Sequence, residues 1–223
     1  WKYMDLWWKV LELQKRTPLP LSNRTSMFMG QLEWVVPCHP FNLKMYEAAY
    51  QQALDAIQGR VINPPERFRL MNLWFFPSHL QKLASWLENE HSVKIARNLW
   101  YDHWGKYEDV VLDHNDPLGS LATKYMHWPV LYMSRGSLEE RVSAVLEDIE
   151  EYKIDGAIYP ASATCHNAYS VRTLKDKLRE HDIPVLVVDC ENWDPTYVTA
   201  EIVKDKLEGF IETLENTLSI QIK

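Results

Sequence analysis

Glycine is scarce, with seven in 223 residues. None falls into a GxGxxG or GxxxxGK[ST] pattern, so no glycine-rich loop is on offer to cradle a nucleotide's phosphates. Cysteine is scarcer still. Cys38, Cys165 and Cys190 form no CxxC pair, and an odd count in a chain with no secretory features argues against a disulfide framework. No apolar run approaches the roughly 20 residues that a membrane-crossing helix needs. No basic-then-apolar leader opens the chain, which is therefore expected to be cytoplasmic. Basic charge is also short. Lys plus Arg is 24 against 31 for Asp plus Glu, a net charge of −7. Such a chain repels phosphates, so neither nucleic acid nor an anionic membrane is an expected partner. No G-x-S-x-G elbow surrounds Ser162, which disfavours serine-hydrolase chemistry.

What is present is ordinary globular composition, 46% hydrophobic and 25% charged, enriched in tryptophan with ten. Aromatics of this size need a large core, a partner surface or an apolar pocket. The sequence opens at Trp1, and WKYMDLWWKVLELQK (1–15) already has the pattern of a helix interior with no capping residue before it. The expectation is that it belongs to a longer chain. The pair Trp7 and Trp8 is expected in a core or a subunit contact.

Residues 1–62 are mostly helical in pattern, broken by the prolines of TPLPLSN (17–23) and VVPCHPFN (35–42). This segment is expected to be the remainder of a truncated N-terminal domain. From residue 63 the rhythm changes. Strand-like runs at RFRLMNLWFF (67–76), SVKIARNLW (92–100), GAIYPA (156–161) and IPVLVVDC (183–190) alternate with helices. The clearest helix, 138–152, places Leu138, Val142, Val145, Leu146 and Ile149 on its apolar face. Its acidic run 147–151 is expected to face solvent. The last helix shows Ile202, Val203, Leu207, Phe210, Ile211 and Leu214. The expectation for 63–223 is one α/β domain, a parallel Rossmann/flavodoxin-like sheet with helices on both faces.

In such sheets ligands bind beyond the carboxyl ends of the strands. That rule selects Pro77–His79, Tyr101–Trp104, Ser162–Asn167 and Asp189–Asp194. Cys165, between a buried strand and the next helix, is either a metal or cluster ligand, a nucleophile, or a small packing thiol. Cys190, ending a strand that looks fully buried, is expected to pack, and Cys38–His39 is a weak metal signal. His166 suits a hydrogen bond to a ligand, and His79 and His103 suit acid–base steps. Ser162 and Thr164 either donate to a ligand or cap the following helix.

The stretch RVSAVLEDIEEYKIDGAIYPASATCHNAYSVRTLKDKLREHDIPVLVVDCENWDPTYVTAEIVKDKLEGFIETL (141–214) resembles the C-terminal portion of the 2-hydroxyacyl-CoA dehydratase and benzoyl-CoA reductase family. EYKIDGAI (151–158) leads to a cysteine after the strand, LKDKL (174–178) precedes IPVLVVD (183–189), and KDKLEGFIETL (204–214) closes the domain. DPLGSLATKYM (116–126) and ELQKRTPLPLSN (12–23) are similar too. The resemblance implies one subunit of a heterodimeric, oxygen-sensitive enzyme of anaerobic metabolism. Its partners would be a related second subunit and an ATP-dependent iron–sulfur activator that delivers one electron. The substrate would be a coenzyme A thioester, processed through a ketyl radical anion in 2-hydroxyacyl-CoA dehydration or benzoyl-CoA-type ring reduction. The family's cofactor is a [4Fe-4S] cluster held by three cysteines. Cys165 matches the last of them, and the other two are expected before Trp1. On this footing the candidate catalytic residues are His166, Ser162 and His103. The candidate cofactor contacts are Cys165, Thr164 and Asn167, with Cys165 the metal ligand. Two other outcomes stay open: a noncatalytic scaffold subunit of the same family, and a generic small-ligand-binding α/β domain.

Overall fold

The computed structural model of the chain describes residues 2–36, 39–100, 102, 113–126, 137–162, 164–165 and 170–221. Three helices come first: α1 (Lys2–Gln14), α2 (Asn23–Val35) and α3 (Pro40–Ile57). Ser22 caps α2 by accepting from the Thr25 N–H, and Pro40 sits in the first turn of α3, where its missing N–H costs no bond. Trp7, Val10, Leu11, Met29, Leu32, Tyr46 and Ala49 form their shared core. Trp7 and Tyr46 meet at 5.8 Å, so Trp7 is a core residue.

The rest of the chain alternates. β1 (Phe68–Asn72), α4 (Lys82–His91), β2 (Val93–Asn98), α5 (Pro117–Met126), α6 (Leu138–Tyr152), β3 (Gly156–Ala161), α7 (Val171–Glu180), β4 (Val185–Asp189) and α8 (Ala200–Gln221) follow in order. All strand pairs are parallel and the order is β2-β1-β3-β4. This is the expected Rossmann/flavodoxin-like α/β fold. Alternating strand residues feed two cores on opposite faces of the sheet. Phe68, Leu70, Val93, Ile95 and Ile158 pack with α4 and α8. Met71, Ala96, Ala157 and Tyr159 pack with α6 and α7. A side chain at Gly156 would meet Leu214 at 2.9 Å and Phe210 at 3.0 Å, so glycine is what lets α8 lie this close to β3.

The sheet's β2 edge is closed by one side chain. Asn23 Oδ1 accepts from the Ile95 N–H at 2.7 Å, and its Nδ2 donates to Val93 O and Ala84 O, both at 2.9 Å. A single amide thus occupies the ladder positions of a missing neighbour strand. Glu88, paired with the buried Lys94, accepts from the Asn23 N–H.

Arg69, 4% exposed, ties the helical segment to the sheet. Its guanidinium donates to Gln14 O at 2.7 Å and Arg16 O at 2.9 Å, where α1 ends. It also donates to Tyr152 O at 2.6 Å, where α6 ends, and to Glu66 at 2.8 Å. Glu66 in turn accepts from the Leu19 N–H.

Five expectations need correction. β1 stops at Asn72 rather than running to 76, because the Asn72 amide donates to Trp74 O and bends the chain out of the ladder. β4 is only half-buried over Val185–Val187, because it is an edge strand with one neighbour. In α6 the buried stripe is Arg141, Val145, Ile149 and Tyr152, with Val142 and Leu146 at its margin. The acidic run is not wholly solvated either: Asp148 pairs with Arg97 at 2.9 Å and Glu151 with Lys15 at 2.8 Å. Ile202 likewise lies outside the core, 49% exposed.

Replacing Arg69 by methionine leaves a buried carboxylate and two helix ends without their donor. The expected loss is about 3–5 kcal/mol in urea unfolding. Lys177→Ala, which removes only a surface pair with Glu180, is expected to leave the midpoint in place. An Arg69→Met midpoint equal to wild type would show that the hub is dispensable.

Candidate active site

The strand order places a topological switch point between β1 and β3. The chain leaves β1 for β2 on one side, and later leaves β3 for β4 on the other. In sheets of this order the carboxyl ends of the two strands at the switch point are where a ligand is expected to bind. Aromatic side chains gather at these strand ends, with Trp74 and Tyr159 in the core and Trp100 packed against it. Trp74, just past β1, stacks on Tyr159 of β3 at 6.4 Å with 8° between the planes, and meets Trp100, just past β2, at 4.6 Å. Phe75 meets Trp193 of the β4 loop at 5.6 Å, while Trp193 itself is 80% exposed.

Ser162, Thr164 and Cys165 leave β3 together at these strand ends. Ser162 is buried, Thr164 exposed and Cys165 half-buried. The Cys165 N–H donates to Ser162 O at 3.0 Å, which closes a tight turn. The Ser162 and Thr164 hydroxyls donate to Glu191, past the end of β4, at 2.7 and 3.0 Å. Among the described residues the next α-helix, α7, begins at Val171. One flank of Cys165 packs against the core of Tyr159, Leu174 and Leu178.

Cys190, the first residue past β4, is fully buried, as expected of a packing thiol. Burial, reinforced by Asp189 and Glu191, pushes its thiol up to about 12, so it stays neutral. Asp194 is held below the usual carboxylate range by the Thr196 hydroxyl and N–H. Asp189 raises the Tyr197 phenol, which donates to it at 3.2 Å. His79 is half-buried near Asp194. His103, His166, Asn167 and Cys38 lie outside the described residues.

A second polar group sits at the ends of β1 and β2. Asn72 Nδ2 donates to Asn98 Oδ1 at 3.3 Å, and the Asp102 carboxylate accepts from the Asn98 N–H at 2.6 Å. Arg97 lies between Asp148 and Asp102, its guanidinium over the Tyr152 ring at 5.1 Å. Burial pushes the Asp102 carboxyl up to about 7, opposed by Arg97 and the Asn98 N–H. Asp102 and Glu191 lie in loops the strand-end rule selected but were given no role there, and Asn72 and Asn98 were not singled out. The available signal was a polar residue ending each apolar strand run.

Among the described residues no group of three or more His, Cys, Asp or Glu is placed to hold a metal ion. Among the described residues the accessible thiol for an iron–sulfur cluster is therefore Cys165, which fits one corner of such a group. The neutral, enclosed Cys190 does not fit. No helix among the described residues is long and apolar enough to cross a membrane.

The model of a family described as 2-hydroxyglutaryl-CoA dehydratase, D-component, matches residues 2–214. No curated protein matches the chain.

Asp102 generates a pH prediction. Its folded value is near 7, against about 4 for an unfolded aspartate, so the native state binds the extra proton between these limits. Stability contributed by this group is therefore present at about pH 4 and declines as pH rises toward 7. Asp102→Asn is expected to flatten that part of a denaturation profile measured from pH 4 to 8. Identical slopes in the two proteins would show that Asp102 is charged throughout.

Proposed function

The chain belongs to the 2-hydroxyglutaryl-CoA dehydratase D-component family, and from that premise we propose that it is the cluster-bearing component of an enzyme removing water from a 2-hydroxyacyl-CoA thioester. The observation that carries the proposal is the half-buried Cys165 on the turn after β3, beside the switch point.

The substrate's chemistry explains why the site needs more than an acid and a base. In a 2-hydroxyacyl thioester the hydroxyl leaves from the carbon next to the carbonyl. The proton must come from the next carbon along, where the carbonyl does not acidify it. Cys165 would hold one iron of a [4Fe-4S] cluster whose remaining ligands come from outside the described residues. When bound, that cluster supplies one-electron chemistry and a Lewis-acidic iron for the departing hydroxyl.

The chain's own residues do the rest. Trp74, Trp100 and Tyr159, packed on one another at the strand ends, would give the site a rigid apolar backing that helps keep water from the reacting acyl group. The turn 162–165 fixes where the thiolate points, and His166, Asn167 and His103 are proposed to contact substrate or cluster from the adjoining loops. Net dehydration transfers no electrons, so an electron supplied at the start is returned at the end. A related partner subunit and an ATP-dependent iron–sulfur electron donor are the proposed partners.

The test is Cys165→Ala in the anaerobically purified complex. Bound iron at this subunit and turnover are expected to be lost, while the thermal unfolding midpoint stays within a few degrees of wild type. Full iron content in the variant would remove Cys165 from the ligand set and overturn the proposal.

A further inference from the structure

We propose that Glu191 is a positioning residue that clamps the turn carrying Cys165, and that Ser162 and Thr164 act on the site through it. This deepens the proposed function and rests on it for its consequence, the aim of the Cys165 thiol. Glu191 Oε2 accepts from Ser162 Oγ at 2.7 Å and from Thr164 Oγ1 at 3.0 Å, and the two hydroxyls stand 2.9 Å apart. The two hydroxyls have two protons between them for these three mutual contacts. Neither proton is then free for a ligand.

The anchor itself is firm. Cys190 N–H continues the β3–β4 ladder by donating to Ala161 O at 2.9 Å, which sets Glu191 opposite the start of the turn. The Cys165 N–H closes back onto Ser162 O at 3.0 Å. Farther along, the buried Arg141 donates to Ser170 Oγ at 2.5 Å, just before α7. The segment leaving β3 is thus held by an acid from the β4 side and a base from the α6 side, with Cys165 between them. Hydrogen bonds to an ionised acceptor are roughly twice as strong as neutral ones, which suits an element that must keep one geometry at a ligating thiol.

The test reads Cys165 alkylation by iodoacetamide in the full chain without bound iron, resolved by peptide mass spectrometry. Glu191→Leu is expected to speed alkylation of Cys165 about tenfold, the factor a lost charge-assisted hydrogen bond allows. Thr164→Val, an exposed substitution, speeds it less, and Thr164→Ser restores the wild-type rate. Ser162→Ala combined with Glu191→Leu is no faster than Glu191→Leu alone, because one contact cannot be lost twice. Cys190 stays protected throughout.

An unchanged Cys165 rate in Glu191→Leu and Thr164→Val overturns the clamp. So do additive effects in the double variant, and so does labelling of Cys190 alongside Cys165, which marks general loosening. The rate is read without iron. A failed clamp therefore leaves the ligand role of Cys165 standing, and a Cys165→Ala complex that keeps its iron leaves the clamp standing.

Discussion

Arg69 is the contact on which the rest of the structure depends. It lies on β1, an inner strand, and its guanidinium reaches the carbonyl ends of α1 and α6 as well as Glu66. Helix carboxyl ends carry unpaired carbonyls and partial negative charge. A planar cation with five donors can serve both ends and Glu66 at once, whereas a lysine, with three, cannot supply all of these bonds. Buried without these acceptors, the same cation would be strongly destabilising. The two helices and β1 are therefore mutually referenced. The helical segment and the sheet share this joint and the Asn23 amide that closes the β2 edge.

The alternation of apolar runs carried most of the fold. GAIYPA and the 138–152 pattern mark β3 and α6 to the residue. The capping box of Ser137 and Glu140 explains the sharp start of α6, and the left-handed Lys153 its end. Errors arose where a polar contact overrode the pattern. LWFF continues the apolar run after β1, but the Asn72 amide donates to Trp74 O where the chain leaves the strand. Asp148 looks like one acid among several, yet Arg97 comes from a strand about fifty residues earlier, and no periodicity reveals such a pair. Edge position is equally invisible: IPVLVVD has the composition of an inner strand and sits on the rim.

The site was legible in outline only. The rule about strand carboxyl ends selected loops that follow β1, β2, β3 and β4, and Ser162, Thr164 and Cys165 stand together on one of them. Glu191 was given no role, because an acid after a strand is commonplace until its hydrogen-bond donors are known. Asn72 and Asn98 were hidden for a related reason. Each ends an apolar run, where a polar residue reads as a boundary marker, yet their side chains meet across adjacent strands. Register decides such contacts, and β1 pairs Asn72 with Asn98 only after a shift between Leu70 and Met71.

Two cysteines follow neighbouring strand ends, and their environments assign them opposite characters. Cys190 extends the β4 ladder, so its side chain is delivered to the core on the α8 side, beside Val188, Val198 and Val203. There the absence of water and the adjoining Asp189 and Glu191 disfavour a thiolate. Cys165 comes after the chain has left its ladder and turned on Ser162, so one flank rests on the α7 core and the residue stays half-exposed. A soft metal centre takes thiolate, not thiol, so chain direction at the strand end selects which sulfur is available to it. Glu191 enters both environments: its charge helps keep Cys190 protonated, while its oxygen holds the turn that presents Cys165.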